Sequence, residues 1–510
     1  MPQPEHCPRP LPRGYIRAFL LSALIVPLGA CQTVPPPAAR ATSAERIERS
    51  LNVLGSAQST EAETQRALAR YQRNLRRVLP AAAAGEAEPG IEWAATNAPD
   101  WREPQDLASI RLVKYQPETA SGLQRSGLGV PAVGHIVPGG ANAPIGGFHV
   151  PMTALALPGN QQGQPELALA NPLRVESIDL GERAYPVAMD LSAPFDATRS
   201  MGPSPFDGLR YLLRADRFAG QSRLSFLQPF EPDKRPLVLV HGLMTTPRMW
   251  DGLVRELMAD AVIRDHYQIW FFFYPTAQPV PLSALQLREA LDAASRAHAL
   301  DQPIVLVGYS MGGVLSRAQV TGLDPSDAER VLPGVSQLPS HSPVARALIF
   351  EPRSDVSRVV FMFTPHRGSH LATFSLAVWF SRLIRLPNWI RMELSAAMDS
   401  LAGPAGYGRF PTSIQGLSPE SPFLQALDQA ALSVPAHSVI GNRGRRGELS
   451  RSSDGVVPYF SAHLPAAESE RVVPTDHGGI SHPDAVDELK RILRLELEPP
   501  PEPPGAPGKG

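Results

Sequence analysis

Hydrophobic and polar positions change their spacing along the chain, and each spacing predicts a different structure. Between residues 43 and 79, Ile47, Leu51, Leu54, Leu68, Tyr71, Leu75 and Val78 recur every three or four positions. That period predicts one or two amphipathic helices over 43–80, broken near Gly55 and ended by Pro80. Residues 90–230 instead carry short apolar runs, such as Ile110–Val113, Met152–Leu157 and Glu166–Ala170. Turn-forming stretches separate them, GLGVP at 127–131 and PGGANAPIGG at 138–147 among them, so a β-rich accessory domain is expected.

From Pro236 the pattern changes again. PLVLV (236–240), QIWFFFY (268–274), PIVLVG (303–308), SRVVFMF (357–363), HSVIG (437–441) and RVV (471–473) read as strands. Helical stretches near 282–299, after 311 and near 484–496 alternate with them. Strands apolar at nearly every position, alternating with helices, predict a mostly parallel sheet covered on both faces, an α/β domain over 236–497. The Pro-rich tail, 498–510, cannot build a core.

Composition narrows the partners. The chain has 510 residues, so two or more domains are expected. Its formal net charge of −1 supplies no bulk attraction to nucleic acid or to an anionic membrane. No zinc-type His/Cys spacing or HExxH is present, and no metal or cofactor is implied.

Both cysteines lie at the N-terminus. Arg9, Arg13 and Arg17 precede an apolar run at 18–30, too short to span a bilayer, and Leu28-Gly29-Ala30-Cys31 follows. This resembles the bacterial lipobox, which implies a signal peptide over 1–31 and a diacylated Cys31 as the mature N-terminus. A lipid chain gives use to a cysteine that has no partner for a disulfide after cleavage. Gln32, where an Asp would suggest inner-membrane retention, tilts the expectation to the outer membrane, facing the periplasm. Residues 32–42 read as a tether.

The chemistry centres on Gly308-Tyr309-Ser310-Met311-Gly312. A GxSxG pentapeptide alone is weak. Here an apolar strand runs into it and Val314, Leu315 and Val320 follow at helical spacing. A sharp strand–turn–helix needs small neighbours and lifts the hydroxyl to the top of the sheet, at the positive end of a helix. Serine needs a base, a group orienting that base, and donors for an oxyanion. His241-Gly242 closes the strand 236–240, so the backbone N–H groups of Leu243 and Met311 form the expected oxyanion pair. Asp454, in a loop after a late strand, is the expected acid; Asp324 reads instead as a helix-ending turn residue. His477 lies in a glycine-flanked loop before the last helix and is the favoured base. His482 stands in reserve, because Pro483 after it marks a helix cap. His241 and His366 are candidates to shape a pocket.

With these pieces in this order, residues 236–496 resemble the α/β-hydrolase superfamily, and within it bacterial esterase/lipase lipoproteins of the lipase and GPI-inositol-deacylase-like branch. LVHGLMTTPRMW, FFYPTAQPVPLSA, GYSMGG, TPHRGS and SDGVVPYFSAHL carry the likeness. It implies hydrolysis of a carboxylic ester, often a lipid ester, through an acyl-enzyme on Ser310. It implies no particular substrate. A cap is expected near 370–425, where Trp379, Phe380, Leu383 and Trp389 mix with Arg382, Arg385 and Arg391. That mixture suits a mobile helical cap meeting lipid, or a buried cap helix with solvated arginines. Acyl transfer or thioester hydrolysis on the same residues, and a non-catalytic lipid-binding lipoprotein, are the competing functions. Oligomeric state is not legible.

Overall fold

The computed structural model describes residues 41–498, apart from 87–90, 95–100, 103–105, 114–121, 138–141, 145, 160–163, 202–221, 370–391, 393–412 and 444–446. The signal segment with Cys31, nearly all of the tether, Trp379, Trp389 and the Pro-rich tail lie outside the described residues. The chain divides into Met1–Thr42 and a compact unit, Ser43–Gly510.

That unit begins with a helical hairpin, α1 (Ser43–Gly55) and α2 (Glu61–Ala83). Thr60 caps α2 in a reciprocal box with Glu63, which satisfies N–H groups the helix leaves unpaired. The helix does not end at Pro80 but continues to Ala83. The ring forfeits one hydrogen bond, yet the alanines after it favour helix and Val78, Leu79 and Ala82 are buried on either side.

The hairpin packs on an antiparallel meander: β1 (Ser109–Leu112), β2 (Val130–Ile136), β3 (Phe148–Pro158) and β4 (Pro165–Ala170). Short strands at Glu92–Trp93 and Trp101–Arg102 extend this sheet beyond β4. One apolar core joins Ile47, Leu54, Tyr71 and Leu75 of the helices to Val130, Ala154, Leu155 and Leu169 of the strands. Tyr71 also completes the ladder. β2 pairs with β3 only as far as Ala154, and the Tyr71 hydroxyl serves Ala156 beyond it, accepting its N–H at 2.7 Å and donating to its carbonyl at 3.0 Å.

The second sheet has seven strands. In chain order they are β5 (Arg223–Phe226), β6 (Arg235–Val240), β7 (Tyr267–Phe273), β8 (Ile304–Tyr309), β9 (Val356–Met362), β10 (Ala436–Gly441) and β11 (Ser469–Val473). In space they run β5-β7-β6-β8-β9-β10-β11, all parallel except the edge strand β5. β5 lies in the stretch expected to be accessory, yet it pairs with β7 along Trp270–Phe273. A four-residue edge strand with alternating burial carries too little signal to be assigned to one sheet or the other.

Side chains alternate between two cores, as a pleated strand requires. Val238, Val240, Ile304 and Leu306 join one core with α4 (Val280–His298) and α5 (Met311–Arg317), whereas Leu237, Leu239, Val305 and Val307 join the other with α3 (Asp251–Ala259) and α7 (Pro483–Leu495). This α/β-hydrolase arrangement brings the loops after β6, β8, β9, β10 and β11 to one edge of the sheet. The residues predicted for chemistry lie on those loops.

Candidate active site

Ser310 stands between β8 and α5 with φ 52° and ψ −122°. A non-glycine residue there costs about 1–3 kcal/mol, so the surroundings must enforce it. They do so by close approach. A Cβ on Gly308 would lie 2.5 Å from Gly313 Cα, and one on Gly312 would lie 2.1 Å from the Val240 carbonyl oxygen. Only glycine lets the turn pack this tightly. The Ser310 N–H is held by the Met362 carbonyl at 2.9 Å.

His477 reaches the serine from the loop between β11 and α7. Its Nε2 lies 3.0 Å from Ser310 Oγ, and its Nδ1 lies 2.6 Å from Asp454 Oδ2. With the proton on Nδ1, the ring donates to the carboxylate and accepts from the hydroxyl. Asp454 is 2 % exposed, and its other oxygen, Oδ1, accepts the N–H groups of Val456 at 2.8 Å and Val457 at 2.7 Å. The His477 N–H in turn donates to the Asp454 carbonyl at 3.0 Å. Ring and carboxylate are thereby fixed to each other.

The loop after β6 lies flush against this group. A Cβ on Gly242 would come within 3.1 Å of Ser310 Cβ and 2.7 Å of the Tyr309 ring. The next N–H, Leu243, donates to no backbone carbonyl among the described residues. Met311 is the first residue of α5, where helical N–H groups have no intrahelical acceptor. Gly242 thus lies against Ser310 with Leu243 as the next residue, and Met311 follows the serine directly.

The other predicted residues take different places. His482 caps α7, its Nδ1 accepting the Asp484 N–H at 3.2 Å. Asp324 opens α6 (Pro325–Val331) as its N-cap, rather than closing the helix before it, and its carboxylate is spent on Ser326 and Asp327. The His241 ring is fully buried and stacks on Tyr274 at 4.5 Å, with Nδ1 3.0 Å from the Gly242 carbonyl. Burial pushes its pKa down to about 4. His366 is buried edge-on to Phe361, its ring nitrogens without a hydrogen-bond partner among the described residues. Burial, aided by Arg317 and Arg367, holds it well below the ordinary histidine range.

Two residues at the site were not singled out from the sequence. Tyr309, the variable second position of GxSxG, donates its hydroxyl to the His477 carbonyl at 2.7 Å and so ties the histidine loop to the serine turn. Phe363 follows β9 with φ 53°, its ring edge-on to His477. A tyrosine and a phenylalanine in apolar runs look like core, and no sequence signal separates these two from their neighbours. Among the described residues, no group of three or more His, Cys, Asp or Glu could hold a metal ion, and no helix is long and apolar enough to cross a membrane.

Comparison with known proteins places this half of the chain. Residues 237–489 match the family model described as the alpha/beta hydrolase family. Among solved structures, the mature Bacillus licheniformis lipase BlEst2 is 19% identical, with 52% of this chain and 93% of that chain covered at a TM-score of 0.31. The Staphylococcus hyicus lipase is 14% identical over 53% of this chain and 98% of that chain, TM-score 0.33. A thermostable carboxyl esterase of Bacillus coagulans is 13% identical over 53% and 92%, TM-score 0.31. No curated protein matches the chain.

Proposed function

We propose that the protein is a serine hydrolase cleaving carboxylic, lipid-like esters through an acyl-enzyme, a reading supported by the match of residues 237–489 to the alpha/beta hydrolase family. The observation that carries this reading is the hydrogen-bonded chain Ser310–His477–Asp454 at 3.0 and 2.6 Å, on a serine in strained backbone geometry.

Each part has a task. Ser310 Oγ attacks the acyl carbonyl while His477 Nε2 takes the hydroxyl proton. Asp454 keeps the other ring proton on Nδ1 and faces the imidazolium that forms. The negative oxygen of the tetrahedral intermediate settles between the Leu243 and Met311 N–H groups, a donor of this kind contributing about 3–4 kcal/mol. His477 then returns its proton to the leaving alkoxide and the ester bond breaks. Water, deprotonated by the same nitrogen, cleaves the acyl-serine and restores the hydroxyl.

The same reading makes Cys31 the acylated N-terminus of an outer-membrane lipoprotein whose catalytic domain faces the periplasm. Its support is Leu28–Cys31 after a short apolar segment. Palmitate incorporation that disappears in Cys31→Ser tests it.

A fluorophosphonate probe tests the chemistry. It is expected to label the wild type and not Ser310→Ala, with p-nitrophenyl ester turnover lost in parallel. The acetate-to-palmitate series then measures the acyl preference. Folded wild-type protein that neither labels nor turns over these esters would refute the assignment.

A further inference from the structure

The chain is nearly neutral, yet its charge is unevenly placed. Between Ser43 and Ala83 there are seven arginines and only four glutamates. Arg66, Arg70, Arg73 and Arg77 succeed one another at intervals of four, three and four, which sets them in one stripe along α2. Arg46 and Arg49 of α1 join them around a single cleft of 770 Å³, with Ser50, Ala67 and Asn74 among its lining residues. Ser50, Ala67 and Asn74 are buried, whereas the arginines from Arg49 to Arg77 that line the cleft are exposed.

Helix stability does not account for the stripe. Like charges at four-residue spacing repel and destabilise a helix. Among the described residues, no carboxylate pairs with Arg46, Arg70, Arg73 or Arg77; Arg49 meets Glu45 only at 3.6 Å between exposed side chains. Glu63, the one carboxylate lining the cleft among the described residues, is held by the N–H and hydroxyl of Thr60 and only weakly attracted by Arg66. Arg76 is the contrast. It leaves the stripe, is partly buried and donates to the Val113 carbonyl at 2.6 Å; within the stripe Arg66 Nε donates to the Ala62 carbonyl at 3.0 Å, and among the described residues the side chains of Arg70, Arg73 and Arg77 have no such bond.

We propose that this arginine-lined face of α1 and α2 is a docking surface for the phosphates of an anionic lipid bilayer. The choice of a membrane rests on the lipoprotein reading above. Eleven residues, 32–42, join the acylated Cys31 to α1, and a chain of that length spans at most about 40 Å. The stripe is thereby kept within reach of headgroups, where each arginine strengthens binding about fivefold. The acyl chains hold the protein at the membrane; the arginines set which face of the domain meets it.

The test uses residues 32–510 without the lipid, which retain the whole compact unit from Ser43. Vesicles of phosphatidylglycerol with phosphatidylethanolamine are compared with pure phosphatidylcholine vesicles by co-sedimentation. Wild type is expected to bind the anionic vesicles only, and to release as salt is raised. R66Q/R70Q/R73Q/R77Q is expected to bind at least roughly tenfold more weakly, against a ceiling of about 600-fold for four arginines. Its circular dichroism and p-nitrophenyl acetate turnover should match wild type, since these residues lie outside the proposed catalytic group. Equal binding by both proteins, no preference for anionic vesicles, or binding to a short DNA duplex in place of vesicles would each overturn the inference. Palmitate labelling of Cys31 is read separately. A labelled protein without vesicle preference leaves the anchor standing and removes the docking surface, and vesicle preference without labelling does the reverse.

Discussion

Asp454→Asn should silence the enzyme while leaving the fold almost untouched, and the reason lies in how the carboxylate is held. Oδ1 accepts two backbone N–H groups, from Val456 and Val457, and Oδ2 faces His477 Nδ1. An asparagine has one oxygen for these two duties. Turned with its amide toward Val456 and Val457, it would oppose donor to donor twice. It therefore keeps its oxygen there and presents its NH₂ to the histidine. His477 Nδ1 must then accept, which moves the ring proton to Nε2, where it points at Ser310 and blocks proton removal. Holding the wrong tautomer costs a serine enzyme about 10⁴ in kcat, or about 5.4 kcal/mol of transition-state stabilisation. Stability should change by less than about 1 kcal/mol, because the substitution is isosteric and both backbone bonds survive. Asp454→Ala separates the effects. It leaves the Val456 and Val457 donors without an acceptor, which costs about 2 kcal/mol or more of stability. The assay is p-nitrophenyl ester turnover beside urea unfolding for both variants. An Asn variant within tenfold of wild-type kcat, or one as unstable as the Ala variant, would refute this reasoning.

Three further outcomes are expected. Tyr71→Phe removes the hydroxyl that serves both the N–H and the carbonyl of buried Ala156, so urea unfolding should show a loss of about 2–3 kcal/mol with esterase activity per folded molecule unchanged. Gly312→Ala would drive a Cβ to 2.1 Å from the Val240 carbonyl and 2.4 Å from that of His241, both rigid strand-end backbone; a destabilisation above about 2 kcal/mol, or insoluble protein, is expected in a thermal melt. Stability should also fall as pH drops from 6.5 toward 4. Burial holds His241 and His437 near 4, and His366 well below its ordinary value, so the unfolded chain binds protons that the folded one refuses. His437 shows why: its Nε2 meets the Arg358 guanidinium at 2.6 Å, which disfavours a second positive charge, although Glu468 partly offsets this. Each such histidine adds a slope approaching about 1.4 kcal/mol per pH unit, so unfolding free energies that stay flat between pH 7 and 5 would contradict their burial in neutral form.

The strands of the catalytic half were legible because strands buried on both faces are apolar at nearly every position. The expected runs at 236–240, 303–308 and 437–441 fall within a residue or so of β6, β8 and β10. Ser310 was legible for the same reason: GxSxG after such a strand leaves little choice of turn. The edge strand β5 and the continuation of α2 past Pro80 were not. Both depend on what neighbours contribute across space, a partner strand in one case and buried apolar side chains in the other.

Residue types and local order alone determined which side chains could do acyl chemistry, that a strand–turn–helix presents the serine, and that His482 suits a helix cap better than a base. Tertiary structure alone decided the rest. Gly242, Ser310, Asp454 and His477 are scattered over 236 positions of sequence. Whether His477 Nε2 reaches Ser310, whether Asp454 turns Oδ2 to it, and that Tyr309 ties their loops together are set by the register of parallel strands several crossovers apart. Local sequence specifies the period and the turns. The angle at which a side chain meets another on a distant loop is specified only when the whole sheet is packed.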